Sequence, residues 1–168
     1  GGMPAHIDET QHYDADPVTV FAMLSDKDFI IYKCEQSASL EATAEVTDEG
    51  DTLQIHNRRV LPAKVPGFLK RFLGDTIPLD ETQHWGPAND DGARSAEFSV
   101  DFDGQPLAFS GTIDLTPHGD GTAVRTKGAL KCSVPLVGGK VENFAAEWIG
   151  KYLKKEEKVG QQWLADHA

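Results

Sequence analysis

Two short runs of polar residues break into otherwise alternating apolar patterns. In residues 53–59, Leu53 and Ile55 are followed at the same period by Asn57 and Arg59. In residues 77–85, Ile77 and Leu79 are followed by Glu81, Gln83 and Trp85. Side chains two apart on a strand share a face. If the two segments pair as antiparallel strands near Arg59 and Glu81, a guanidinium, a carboxylate and amides stand together over an apolar surface. Asn57, Arg59, Glu81 and Gln83 could then orient the polar head of a ligand, since small-molecule sites are mostly apolar with a few placed polar groups. The plainer alternatives are a cross-strand salt bridge with no ligand, or strands that bend and turn both charges outward. A charge drawn into a cavity must be paired whether or not a ligand comes.

Other chemistry has little to build on. The six histidines (His6, His12, His56, His84, His118 and His167) show no zinc-type spacing, and the chain has no HExxH, CxxC, glycine-rich phosphate loop or Gly-x-Ser-x-Gly turn. No catalytic residue, metal ligand or cofactor is assigned on these patterns. An enzyme using the same surface would need Glu81, or a histidine such as His84, as general base.

The charge balance narrows the partners. Sixteen Lys and Arg against 27 Asp and Glu leave a net charge of -11, which repels phosphate backbones and argues against nucleic acid. No apolar run reaches the length of a membrane span, so stable insertion is not expected, while transient membrane contact stays open. Cys34 and Cys132 are too few for a disulfide framework, which points to a reducing cytoplasm and leaves a single bridge between them open. The opening Gly1-Gly2-Met3-Pro4 lacks the basic and apolar regions of a secretory signal. Gly1 and Gly2 read as a cleavage scar, so one domain is expected over 3–168.

The elements that must position these groups follow from periodicity and turns. Asp48-Glu49-Gly50-Asp51, Asn89-Asp90-Asp91-Gly92, Asp103-Gly104-Gln105-Pro106 and His118-Gly119-Asp120-Gly121 are tight-turn signals between alternating segments. With strands at 5–13 and 76–85, the pattern predicts roughly seven strands in an antiparallel sheet with one covered face. Asp16 before Pro17 caps a short helix carrying Val20, Phe21 and Leu24. Ser25 with Asp28 reads as a capping box for a second helix through Phe29, Ile30 and Ile31. From about Gly139 to about Asp166 a long helix presents Val141, Phe144, Ala145, Trp148, Tyr152, Val159 and Trp163 on one stripe, with Ile149 at its margin. Lys155 and Glu156 interrupt that stripe, so the last turns are expected to be partly exposed.

Phe98, Phe102, Phe109, Phe144, Trp148 and Tyr152 fall on the covered sheet face and the helix stripe. They are core residues, some of which line a void if one exists. Gly111 and Gly128 on the same face leave room or allow curvature. The connection over 61–74 is apolar, locally basic and bounded by Pro and Gly. Phe68, Leu69, Phe72 and Leu73 have the spacing of a short amphipathic helix that either packs on the mouth of the sheet or acts as a lid.

The order strand, two short helices, about six strands and a long helix is an α+β arrangement in which a curved sheet buries its concave face against the terminal helix. The segment Asp16-Pro17-Val18-Thr19-Val20-Phe21-Ala22-Met23-Leu24-Ser25-Asp26 resembles the stretch after the first strand in the START-like (SRPBCC) superfamily, and the element order is similar over essentially the whole chain. The likeness is to an uncharacterised actinobacterial branch. It implies a helix-grip fold with a cavity between sheet and helix for a lipid, sterol-like or polyketide-like molecule. On that expectation a non-catalytic binder or carrier of a small hydrophobic molecule comes first, with Trp85 and the aromatic set beside the polar group. A polyketide cyclase- or dehydratase-like enzyme in the same cavity and a protein-interaction module are the alternatives.

Overall fold

Burial alternates residue by residue along the strands, most regularly in residues 94–101, where Ala96, Phe98 and Val100 are buried and their neighbours exposed. The computed structural model describes residues 4–168, apart from the side chain of Phe72; the supposed scar at Gly1 and Gly2 lies outside the described residues. The elements are β1 (Ala5–Tyr13), α1 (Pro17–Leu24), α2 (Lys27–Gln36), β2 (Glu41–Asp48), β3 (Leu53–Pro62), α3 (Gly67–Leu73), β4 (Thr76–Trp85), β5 (Arg94–Asp101), β6 (Leu107–His118), β7 (Gly121–Cys132) and α4 (Gly138–Asp166). The seven strands form one sheet in the order β1-β7-β6-β5-β4-β3-β2, with every neighbouring pair antiparallel. β2 to β7 are a continuous meander, and α1 with α2 carries the chain from one edge of the sheet to the other. The sheet and α4 together make the expected α+β helix-grip fold.

Local chemistry accounts for the helix starts. The Asp16 carboxylate accepts from the Thr19 amide at 2.8 Å, and Pro17 occupies the first helical turn, where its missing N–H costs nothing. At α2 the structure corrects the expected capping box by one residue. Asp26 is the cap, accepting from the amides of Asp28 at 2.7 Å and Phe29 at 3.3 Å, while the Ser25 hydroxyl donates back to the Phe21 carbonyl and closes α1. α2 also runs on to Gln36, well past Ile31.

α4 lies along the concave face, and its buried side is centred differently from the apolar stripe. Ile149, at the margin of that stripe, is buried, and Glu156, which interrupts it, is 8% exposed. The last turns are held by Trp163, which meets Phe29 edge-on with centroids 5.3 Å apart and lies 5.4 Å from Tyr32. Gly160 lets α4 sit against β1, since a Cβ there would come within 2.6 Å of Tyr13 Cε1.

The paired glycines Gly111 and Gly128 do not open a void. A Cβ on Gly128 would meet Phe109 Cε1 at 2.6 Å and Phe98 Cζ at 3.1 Å, so that space is taken by the edge-to-face pair of Phe98 and Phe109, centroids 4.9 Å apart. The two cysteines are free and buried; Cys34 in α2 contacts Asn57, and Cys132 lies at the end of β7.

Candidate ligand-binding cavity

β3 and β4 pair so that Asn57 stands opposite Glu81 and Arg59 opposite Leu79; Arg59 therefore reaches Glu81 diagonally rather than directly. The contact is made inward. Arg59 is 6% exposed, and its Nη1 donates to Glu81 Oε1 at 3.1 Å and to Asn57 Oδ1 at 2.6 Å. A directed chain completes the row: Trp85 Nε1 donates to Gln83 Oε1 at 2.9 Å, and Gln83 Nε2 donates to Glu81 Oε2 at 2.6 Å. Asn57 is fixed behind Arg59 by donating to the Thr43 carbonyl on β2, and its Oδ1 also accepts from the Cys34 thiol at 3.5 Å. Bonds that point the same way reinforce one another in a low dielectric. The outward-turned arrangement is thus not the one adopted.

The cavity above this row, between sheet and α4, has a volume of about 80 Å³. Arg59, Glu81, Gln83, Trp85, Phe98, Phe102, Phe109, Trp148 and Tyr152 all line it; Asn57 does not and acts one layer behind. A second, smaller cavity of about 50 Å³ lies toward α3, and Phe144 and Leu69 line that one. Phe102, Trp148 and Ile149 border both cavities and form the partition between them.

Three polar residues of the main cavity were not legible as site residues. Lys33 on α2 pairs with Glu156 on α4 at 2.6 Å, and Gln11 on β1 donates to Glu156 at 3.0 Å and to the Leu153 carbonyl at 2.8 Å. The signal was the acidic residue inside an apolar helix stripe, which marks either an exposed turn or a buried pair; here it marks the pair. Four charged groups therefore face one cavity, Arg59 and Lys33 against Glu81 and Glu156.

Their ionisation follows from these contacts. Burial pushes the Glu81 carboxyl up, but Arg59 and Lys33, with the bonds from Gln83 and Arg59, outweigh it and hold Glu81 below the ordinary range. Burial works against the Lys33 ammonium too, and the negative groups around it, Glu156 first, more than offset that and raise it. Burial likewise works against the Arg59 guanidinium, and the Glu81 carboxylate, by its charge and its hydrogen bond, helps to hold it raised. Burial, more than any neighbour, pushes the Tyr152 hydroxyl up and keeps it a phenol. The Arg59 guanidinium sits 5.2 Å from the centre of the Tyr152 ring, a cation–π contact across the cavity.

The α3 segment divides in two. Leu69 is 1% exposed and packs inward, while Phe68 is 41% exposed and does not line either cavity. The side chain of Phe72, expected to share the lid face, lies outside what the structure describes. His84 is exposed, on the sheet face opposite its neighbours Gln83 and Trp85. Among the described residues, no three His, Cys, Asp or Glu side chains gather closely enough to hold a metal ion. Nor is any described helix long and apolar enough to cross a membrane.

Other proteins share this architecture. A family model described as a protein of unknown function (DUF2505) matches residues 8–164. The crystal structure of TTHA0849 from Thermus thermophilus superposes with a TM-score of 0.69 at 17% identity, covering 98% of this chain and 99% of that one. A START superfamily protein from Mycobacterium smegmatis superposes with a TM-score of 0.56 at 13% identity, covering 94% of this chain and 98% of that one. At such identities the likeness is one of fold, and the fold is START-like. The muscle M-line assembly protein unc-89 of Caenorhabditis elegans is 27% identical over 135 residues, 76% of this chain, but the chain spans only 2% of that protein's length.

Proposed function

The chain belongs to the DUF2505 family, and from that premise and its START-like fold we propose that it binds a small, mainly apolar molecule in the cavity between the sheet and α4. The observation that carries the reading is a mostly aromatic and aliphatic cavity with a paired arginine and glutamate at one end. In this reading Arg59, Glu81 and Gln83 anchor the polar part of the ligand with Asn57 holding Arg59 from behind, Trp85, Phe98, Phe102, Phe109, Trp148 and Tyr152 surround its body, and Phe144 lines the neighbouring smaller cavity. A lipid, sterol-like or polyketide-like molecule has that chemistry, carried within a reducing compartment such as the cytoplasm, and the cavities of about 80 and 50 Å³ must widen to admit one.

Binding is favoured over catalysis by the state of the acidic group. A general base works best with a pKa near the working pH, and Glu81 is held well below that by Arg59 and Lys33. The other candidate base, His84, stands on the far face of the sheet.

α3 serves as the lid in this reading. Phe68, exposed beside the exposed Lys70 and Arg71, gives it an apolar tip that touches ligand-bearing surfaces such as a membrane, while Leu69 roots it over the smaller cavity.

Native mass spectrometry of gently purified protein, followed by solvent extraction, tests the proposal. A defined adduct of small-molecule mass is expected, and it should be lost on extraction. A protein that stays bare both as purified and after incubation with lipid extract would overturn it, and a stoichiometric protein partner in its place would favour an interaction module.

A further inference from the structure

Two large apolar side chains stand in solvent in connections that belong to one end of the molecule. Phe68, at the start of α3, is 41% exposed, and Leu136, between β7 and α4, is fully exposed. Their chain neighbours pack together: Val65, Leu69 and Leu73 of the first connection share one apolar cluster with Val134, Val137 and Val141 of the second. Val65, Leu69 and Val141 also line the smaller cavity, so both exposed residues lie at that cavity's end of the fold.

Leu136 is held out by its backbone as well. Its φ is 69°, in the left-handed region that a leucine adopts only under strain, and with the side chain in solvent no burial offsets that strain. Strain kept at an exposed apolar residue points to a use outside the core.

Charge narrows what that use is. From Leu61 to Gly74 the charged residues are Lys64, Lys70 and Arg71, and from Lys131 to Val141 they are Lys131 and Lys140. All five are exposed cations, in a chain of net charge -11. Of the acids next to these segments, Glu142 is buried, Asp75 is exposed, and Asp103, whose turn meets Ser133, is paired with Arg58. Cations are therefore in excess here, while the acidic remainder of the chain is repelled by an anionic layer and turns this end toward it. Single apolar tips among cations suit a soft anionic interface better than the contoured face of a protein.

We infer that this end docks on the surface of an anionic lipid bilayer, with Phe68 and Leu136 entering the headgroup region and Lys64, Lys70, Arg71, Lys131 and Lys140 held by lipid phosphates. This deepens the lid role given to α3 above by naming the surface it meets and a second anchor outside α3.

Sedimentation of the whole protein with vesicles tests it, using phosphatidylcholine alone and phosphatidylcholine with one quarter phosphatidylglycerol. Binding to the anionic vesicles should be about 10-fold or more tighter and should fall steeply between about 0.05 and 0.5 M salt. Lys70→Gln with Arg71→Gln should weaken it about 20-fold, roughly fivefold for each cation removed. The charge-matched control Lys27→Gln with Lys127→Gln, two exposed lysines outside both connections, should change it little. Leu136→Asn should also weaken binding while leaving the thermal midpoint unchanged or raised, because Asn tolerates positive φ. Absent binding, equal binding to both vesicle types, indifference to salt, full binding by Leu136→Asn, or an equal loss in the control would each overturn the inference. The small-molecule reading rests on adducts seen without vesicles, so it stands or falls separately.

Discussion

Each oxygen of the Glu81 carboxylate accepts one bond, from Arg59 and from Gln83. Because its folded pKa lies below the unfolded one, this group contributes stability above the ordinary carboxylate range and loses it as pH falls through the folded pKa. Urea unfolding of the protein and of Glu81→Gln should therefore differ most near neutral pH and converge in acid. A gap that held constant with pH would show that Glu81 is not ionised in the folded state. At the second pair, Lys33→Met leaves Glu156 with only Gln11 and should cost about 3–5 kcal/mol. The double variant Lys33→Met with Glu156→Leu should recover most of that loss, since a well-packed apolar pair replaces a buried ion pair at little cost. Neither Lys33 nor Gln11 announces itself in the sequence, because a single polar residue on a helix or an edge strand looks the same whether it turns inward or out.

The helices show how far local pattern carries. The extent of α4 was legible from its spacing, yet its buried side was not, since Glu156 is welcome there only because Lys33 on α2 reaches it. Replacing Gly160 with Ala tests the seating of α4. Helix propensity favours Ala by about 1 kcal/mol, but the new Cβ would collide with the ring of Tyr13, itself 1% exposed and unable to yield, and overpacking costs about 1–3 kcal/mol. Gly160→Ala should therefore lower the thermal midpoint rather than raise it. On α3 the two neighbouring apolar residues should behave oppositely. Leu69→Ala should cost about 2–5 kcal/mol as a buried leucine, whereas Phe68→Asp should change stability by less than about 0.5 kcal/mol and slow ligand uptake in stopped-flow fluorescence. Unchanged uptake would remove the lid role.

At the scale of the whole molecule, the sheet and α4 enclose two cavities parted by Phe102, Trp148 and Ile149. Trp148→Ala should join them, shifting the adducts seen in native mass spectra toward larger molecules at a stability cost of about 3–5 kcal/mol. If the adducts keep their size, the partition is not made by Trp148. Strand number, the antiparallel meander, the first helix cap and the terminal helix were all legible in the sequence, because period and turn chemistry act between residues close along the chain. The inward row Asn57, Arg59, Glu81, Gln83 and Trp85 was legible as one face for the same reason. Only the tertiary structure decided that this face is covered rather than wet, that Arg59 reaches Glu81 along a diagonal, and that α2 and α4 bring Lys33 and Glu156 to the same cavity. Those outcomes depend on contacts between residues far apart along the chain, 22 positions for Arg59–Glu81 and 123 for Lys33–Glu156. Periodicity fixes which side chains share a face; packing alone fixes what that face meets.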